Sequence, residues 1–157
     1  GKLNEALFEG ATINTPSMLC VEDYLKALDW ADSIGGQAGL KARSDESLEI
    51  LEAWVAETDW IDFLCADKVT RSNTGVTFKV TDPRVAKLDT EAQEAFVKKL
   101  VTLIEKEGVA FDFNSYAKAP PGLRIWVGST VEPSDVAKLT PWLDWAFATV
   151  ASELQDA

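Results

Sequence analysis

The chain has 157 residues, the size of one ordinary domain that buries its own core. Its 15 basic and 26 acidic residues give a formal charge of -11, which repels the phosphate backbone of nucleic acids. No stretch approaches the roughly 20 consecutive apolar residues that span a bilayer. We therefore expect neither a nucleic acid nor a membrane as a partner.

The chain contains no histidine, and its two cysteines, Cys20 and Cys65, lack CxxC spacing. This composition excludes a common zinc site and a Ser-His or Cys-His nucleophile. Both cysteines lie in apolar patterns typical of buried, reduced thiols, and we expect a cytoplasmic protein. The chain opens on Gly1 rather than on a translation start or a secretory leader, which we interpret as a trimmed or excised chain.

The first half of the chain predicts two helices. Thr15 is the expected cap of a helix that Pro16 begins, because proline at the first helical position loses only an unpaired donor. Apolar residues at helical spacing continue to Gly35-Gly36, which reads as a turn because the full nucleotide-binding glycine pattern is absent. A second helix is predicted over 37–57, with a break near Ser44 as an alternative. The first ten residues carry no predicted element.

The second half mixes strands and helices. Residues 75–80 predict a strand, and Thr90 to Gln93 fits a capping box at the start of a helix that ends at Gly108. Apolar residues alternate over 109–113, which predicts another strand, and a strand is predicted over 123–127. The residues between these last two strands form an irregular loop. A helix begins at Glu132-Pro133 and a final helix restarts at Thr140-Pro141.

This order of elements predicts an α+β fold. We expect a small, mostly antiparallel or mixed sheet of at least three strands, with helices packed on one face.

Arg124 is the most distinctive candidate for a binding residue. It is a lone cation between Leu123 and Ile125 at the start of a predicted strand, directly after the loop that contains Pro120-Pro121. A guanidinium in such a place holds the carboxylate of a small amino or keto acid through two parallel hydrogen bonds. The alternative is a structural arginine that pairs with a nearby acid at the edge of the sheet.

The helix entered through Asn14-Thr15-Pro16 offers a second candidate. Free amides and the positive end of the helix dipole suit a phosphate. The alternative is that these amides bind only their own cap.

Three motifs in the order found here resemble those of the phosphoserine aminotransferase family. They are residues 12–19, residues 70–74, and residues 120–128, and the similarity extends over nearly the whole chain. The resemblance implies homodimers of the aspartate-aminotransferase fold that use pyridoxal 5'-phosphate (PLP). It also implies exchange of an amino group between phosphoserine and 2-oxoglutarate, at active sites on the subunit interface.

The resemblance also implies roles for individual residues. Arg124 resembles the arginine that grips the substrate α-carboxylate, and Asn14 and Thr15 resemble the pair that reaches the PLP phosphate of the neighbouring subunit. Where some members carry a His-Arg pair that helps to hold the substrate phosphate, this chain has Ala117 and Lys118, so Lys118 offers only a point charge. Arg71 lies in a family-like motif, with a structural tie to backbone carbonyls as its alternative role.

In the family, the lysine that carries PLP lies upstream of the region seen here. The resemblance therefore implies a connecting segment over 1–12, a C-terminal small domain over 13–157, and no catalysis by this chain alone. It also predicts that Leu3, Leu7 and Phe8 belong to a surface that faces the large domain and are exposed or covered by self-association. Two alternatives stay open. One is a related aminotransferase that uses alanine or serine with glyoxylate, and the other is a stand-alone, non-catalytic binding domain.

Overall fold

The computed structural model describes residues 3–116 and 118–154, apart from the side chain of Leu7. By its internal contacts the chain divides into two compact units, Gly1–Leu40 and Lys41–Ala157. The predicted boundary between residues 12 and 13 is not tested by this division and stays a prediction.

The first unit contains a 3-10 helix at Glu5–Glu9 and the helix α1 at Met18–Ser33. The expectation that the first ten residues have no element of their own is therefore wrong. Leu3 and Phe8 are 71% and 78% exposed, as predicted, whereas the side chain of Leu7 lies outside the described residues. α1 has no buried residue, so its apolar residues are all at least partly exposed.

The start of α1 differs from the prediction. Ser17, not Thr15, is the N-cap, and its hydroxyl accepts a hydrogen bond from the amide of Cys20 at 3.5 Å. Thr15 and Pro16 lie in the segment before the helix. Ser17 is extended and its side chain reaches the third helical amide, which is the usual geometry of a capping serine.

The predicted turn after α1 is confirmed. Gly35 and Gly36 have φ angles of 100° and 63°, a region that glycine adopts without steric cost. The second helix, α2, runs without a break over Gly36–Ala56, so the alternative of a break near Ser44 is not realised.

The second unit is built on a three-stranded antiparallel sheet. Its strands are β1 at Ile61–Phe63, β2 at Gly75–Val80 and β3 at Leu123–Trp126, in the order β1-β2-β3. β2 is the central strand and pairs Phe78 with both Phe63 and Leu123.

One face of this sheet is buried and the other carries polar groups. The buried face joins the C-terminal part of α2 with three further helices, α3 at Pro83–Ala86, α4 at Thr90–Lys106 and α5 at Pro133–Ser152, in one core. Large and fully buried members of this core are Leu51, Phe78, Leu100, Ile104, Leu123 and Leu143. The predicted α+β class, with helices on one face of a small sheet, is confirmed. Over the described residues, no helix combines the length and the apolar character that crossing a membrane requires.

Two predicted elements are wrong in detail. Residues 109–113 form no strand, because Asp112 has a φ of 55° and so interrupts the extended backbone. Only an isolated bridge joins Asn114 to Leu123. At the start of α4 the cap is Asp89, whose carboxylate accepts from the amide of Ala92 at 2.8 Å.

The predicted restart at Thr140-Pro141 is also wrong, because α5 passes through Pro141 as one helix. Proline has no amide to donate to the carbonyl four residues earlier, which is that of Ala137. The hydroxyl of Thr140 donates to this carbonyl at 3.2 Å instead. The side chain before the proline thus replaces the missing donor and keeps the helix continuous.

Asp82 makes the stability of the fold depend on pH. The side chain of Arg84 donates to this carboxylate at 2.9 and 3.0 Å and holds the pKa of Asp82 below its usual value. The resulting stabilisation is complete above the unfolded pKa of about 3.9 and is lost as the pH falls through the lower folded pKa. Between pH 5 and pH 2, the free energy of unfolding of Asp82→Asn should therefore decrease less than that of the wild type.

Urea unfolding followed by circular dichroism at a series of pH values measures this difference. Arg84→Met removes the same ion pair from the other side and should flatten the acid limb in a similar way. An Asp82→Asn curve as steep as that of the wild type would show that Asp82 does not contribute.

Candidate substrate-carboxylate site

Arg124 lies on the polar face of the sheet. Along β3, Leu123 and Ile125 are buried, so the alternation of the strand places Arg124 and Trp126 on the opposite face. Arg124 pairs with Thr77 of the central strand, and its amide donates to the carbonyl of Phe113 at 2.9 Å. The backbone that carries this cation is therefore held from both sides.

The guanidinium is largely enclosed but only partly paired. Its side chain is 14% exposed, and Nη2 donates to the backbone carbonyl and to the carboxylate of Asp112 at 3.1 and 3.2 Å. The ring of Tyr116 lies against it, 4.7 Å from the guanidinium carbon, in a cation-π contact. Nε is buried without a hydrogen-bond partner, and Nη1 makes no hydrogen bond to the described residues.

The geometry of Arg124 has features of both roles that the sequence left open, a binding residue and a structural arginine. It pairs with a nearby acid, as a structural arginine would, but the carboxylate of Asp112 is 89% exposed and leaves the guanidinium with unused donors. Because the Asp112 carboxylate is accessible to water, its pairing with Arg124 contributes little to stability, about 0–1 kcal/mol. The arrangement can therefore still accept an external carboxylate.

Arg124 is one of the residues that line an open groove of about 720 Å³. This volume falls within the range of about 300–1,000 Å³ that is typical of small-molecule sites. Its walls combine the aromatic residues Phe111, Tyr116 and Trp126 with apolar residues of α5, including Val136 and Leu139. Arg124 is the cation of this mostly apolar lining, which also contains the acids Asp112 and Asp135, and its guanidinium can bind the carboxylate of a small acid.

Sequence reasoning found Arg124 but missed Asp112 and Tyr116. Asp112 is the only residue other than glycine with a positive φ among those that the structure describes. Asp and Asn are enriched in the left-handed conformation, but the presence of one Asp in a sequence does not predict it. Tyr116 carried no signal because its contact with Arg124 depends on the course of an irregular loop.

Lys118, the other predicted site residue of the second unit, is not among the residues that line the groove. Lys118 is exposed in the loop before β3, and its predicted neighbour Ala117 lies outside the described residues. Asn14 and Thr15 lie in the first unit, in the exposed segment that leads to α1. The hydroxyl of Thr12 donates to the backbone carbonyl of Asn14 at 2.7 Å.

Arg71 has the contacts of a structural residue. Its Nε and Nη2 donate to the carbonyl of Cys65 at 3.3 and 3.2 Å, and Nη1 donates to Glu52 at 2.9 Å. Its guanidinium also lies 3.6 Å from the ring centre of Phe63. These contacts correspond to the alternative role that the sequence left open, a tie to backbone carbonyls.

Comparison with known proteins gives one consistent result. The chain is 47% identical over 150 residues to phosphoserine aminotransferases of Methanosarcina mazei and Methanosarcina barkeri, which covers 96% of this chain. The resemblance to phosphoserine aminotransferases is confirmed. The chain spans only 38% of the length of these curated relatives, so it corresponds to one segment of such an enzyme.

The fold agrees with this assignment. The structure of a phosphoserine aminotransferase from Bacillus circulans subsp. alkalophilus superimposes with a TM-score of 0.71. The match covers 87% of this chain and 34% of that chain. At 18% sequence identity it shows that the two chains share a fold. No protein-family model matches the chain.

Proposed function

We propose that this chain is the C-terminal small domain of a PLP-dependent phosphoserine aminotransferase. The complete enzyme would transfer an amino group between phosphoserine and 2-oxoglutarate, giving 3-phosphohydroxypyruvate and glutamate, in serine biosynthesis in the cytoplasm. The observation that carries the proposal is the partly paired guanidinium of Arg124 in its groove, within a chain that is 47% identical to phosphoserine aminotransferases along almost its whole length.

In this proposal Arg124 binds the α-carboxylate that all substrates of the reaction share. The guanidinium fork fits a carboxylate through two parallel hydrogen bonds, which fixes orientation as well as charge. The enclosure of the Arg124 side chain, which is 14% exposed, reduces the competition of water for the guanidinium and strengthens its attraction for a carboxylate. The residue thus positions the substrate for transfer of its amino group.

Asn14 and Thr15 fit the phosphate of PLP as neutral donors. Both are exposed, and neither side chain makes a hydrogen bond to another described residue, so the amide and the hydroxyl are available. When bound, PLP supplies the aldehyde that takes the amino group and the ring that withdraws electrons. The lysine that holds PLP would lie in another part of the complete protein, and the chain alone is expected to be inactive.

Lys118 is the proposed contact for the phosphate of phosphoserine. It is exposed, which agrees with a side chain that offers a mobile point charge rather than a fixed fork. This contact would be weaker and less directional than that of an arginine.

The proposed partner of the chain is a second copy of the same enzyme. α1 has no buried residue although it carries Met18, Leu19, Tyr24 and Leu25. A run of exposed apolar residues of this kind marks a surface that other protein covers. This feature supports a larger enzyme and a homodimer over a stand-alone binding domain.

The first test replaces Arg124 in the complete enzyme. A hydrogen-bonded charged group contributes about 1.5–3 kcal/mol, which corresponds to roughly a 10- to 150-fold change in affinity. We expect Arg124→Lys to raise the KM for phosphoserine and 2-oxoglutarate about tenfold, and Arg124→Ala to raise it about 100-fold. Steady-state kinetics measures both.

Arg84→Lys is the matched control, because Arg84 pairs with Asp82 and does not line the groove. It should leave both KM values unchanged. If Arg124→Lys behaves like this control, Arg124 does not bind the substrate carboxylate.

Comparison of substrates tests the reaction itself. The enzyme should have a much higher kcat/KM with phosphoserine and 2-oxoglutarate than with alanine or serine and glyoxylate. The reverse preference would favour the related aminotransferase.

A further inference from the structure

We propose that Asp112 is an internal competitor for the substrate carboxylate, and that it sets how tightly Arg124 binds its substrates. This inference rests on the proposed function, because it names a residue that tunes the same site. Asp112 carries the same functional group as the α-carboxylate of the substrate, and its Oδ2 lies 3.2 Å from Nη2 of Arg124. A bound substrate and Asp112 would therefore compete for hydrogen bonds from the same guanidinium.

The position of Arg124 does not depend on the carboxylate of Asp112. The backbone of Arg124 is fixed by its pairing with Thr77 and by its bond to the carbonyl of Phe113. Its side chain is held by the Tyr116 ring and by the main-chain carbonyl of Asp112. Loss of the carboxylate alone would leave these four contacts in place, so the guanidinium would stay in the groove with one more donor free.

The carboxylate of Asp112 is easily displaced. Its side chain is 89% exposed, so water can take the place of Arg124 at little cost. Asp112 also occupies the left-handed region with a φ of 55°, which directs its carbonyl and its carboxylate towards the same guanidinium. Because Nε is buried, a substrate carboxylate that takes two parallel hydrogen bonds would use Nη1 and Nη2 and so would have to replace the bond from Nη2 to Asp112.

Two substitutions at this position keep the backbone conformation. Asparagine is enriched in the left-handed region and matches the shape of aspartate without its charge, and glycine adopts the same region freely. Both variants remove the competing charge while the main-chain carbonyl remains. These variants therefore distinguish two roles of the Asp112 carboxylate: competition with the substrate for Arg124, and stabilisation of the Arg124 side chain.

The experiment measures KM, kcat and the dissociation constant of glutarate, a dicarboxylate without an amino group, in the complete enzyme. We expect Asp112→Asn and Asp112→Gly to lower the KM for phosphoserine and 2-oxoglutarate about two- to fivefold, which is the range for release of an exposed ion pair. The dissociation constant of glutarate from calorimetry should fall by the same factor, with kcat changed less. Asp62→Asn is the control, because it removes one charge from a similar exposed pair with Lys79 and should change neither constant.

The possible results are distinct. A higher KM in Asp112→Asn would mean that Asp112 supports Arg124 rather than competing with it, and would overturn the inference. Unchanged constants in both Asp112 variants, together with a raised KM in Arg124→Lys, would overturn the inference and leave the proposed function standing. Unchanged constants in Arg124→Lys would overturn both.

Discussion

Replacement of Gly122 by alanine is expected to destabilise the chain by about 3 kcal/mol, the upper end of the usual cost of overpacking. A Cβ on Gly122 would lie 2.0 Å from the carbonyl oxygen of Phe78 on β2. The group it meets belongs to the backbone of the central strand, so no side chain can rotate away to relieve the clash. The strand β3 would have to move away from β2 or lose its first pair.

The same substitution should also damage the site, because Gly122 directly precedes β3 and Arg124 lies two residues later. We expect the KM for the carboxylate substrates to rise in the complete enzyme together with the loss of stability. Urea unfolding of the chain measures the first effect and steady-state kinetics the second.

Gly75→Ala is the matched control on the neighbouring strand. A Cβ at Gly75 would meet nothing within 4 Å, although this residue pairs with Trp126 of the same strand β3. Its effect on the free energy of unfolding should stay within about 0.5 kcal/mol. Equal effects of the two substitutions would refute the clash with Phe78 as the cause.

Asp144→Ala is expected to cost about 2–5 kcal/mol in the free energy of unfolding, since each buried donor left without a partner costs about 1–3 kcal/mol. The carboxylate of Asp144 accepts the indole N–H of Trp60 at 2.8 Å and that of Trp54 at 3.1 and 3.2 Å. Both rings are buried in the core and Asp144 is partly buried, so loss of the carboxylate removes the acceptor of both indole N–H groups. One side chain of α5 thus satisfies two tryptophans from other parts of the second unit.

Two further variants test this interpretation. Asp144→Asn keeps one acceptor oxygen but places an amide donor towards the N–H of Trp54. It should therefore lower the free energy of unfolding relative to the wild type, but by less than Asp144→Ala. Glu153→Ala removes an exposed acid near the C-terminal end of α5, where it pairs with Lys99, and should cost less than about 1 kcal/mol. Urea unfolding followed by circular dichroism compares all three. A small effect of Asp144→Ala would mean that the indoles find other acceptors.

The elements that sequence predicts well here are those whose pattern reflects burial. β2 follows the prediction over 75–80 because alternate apolar residues face the core, and α2 follows because its apolar stripe is long. β1 was missed as a strand because a run of three residues has no period to detect. The alternation over 109–113 misled because Asp112 turns the backbone: Phe111 is 70% exposed, and Phe113 is the buried residue of this segment.

The residues of the site also differ in whether the sequence could predict them. Arg124 was predictable because a lone charge between apolar strand residues must point away from the core. Asp112 and Tyr116 were not, because their contacts with Arg124 depend on the three-dimensional course of a loop. Roles for Asn14, Thr15 and Lys118 came from the family resemblance and stay predictions.

The order of pairing in the sheet also has a consequence for how the site is assembled. β1 and β2 are close in sequence, whereas β3 joins β2 only after α3, α4 and the long loop have intervened. Pairings between distant segments form late, because the chain has to close a long loop before they gain contacts. The Arg124 groove should therefore be among the last parts of the second unit to fold.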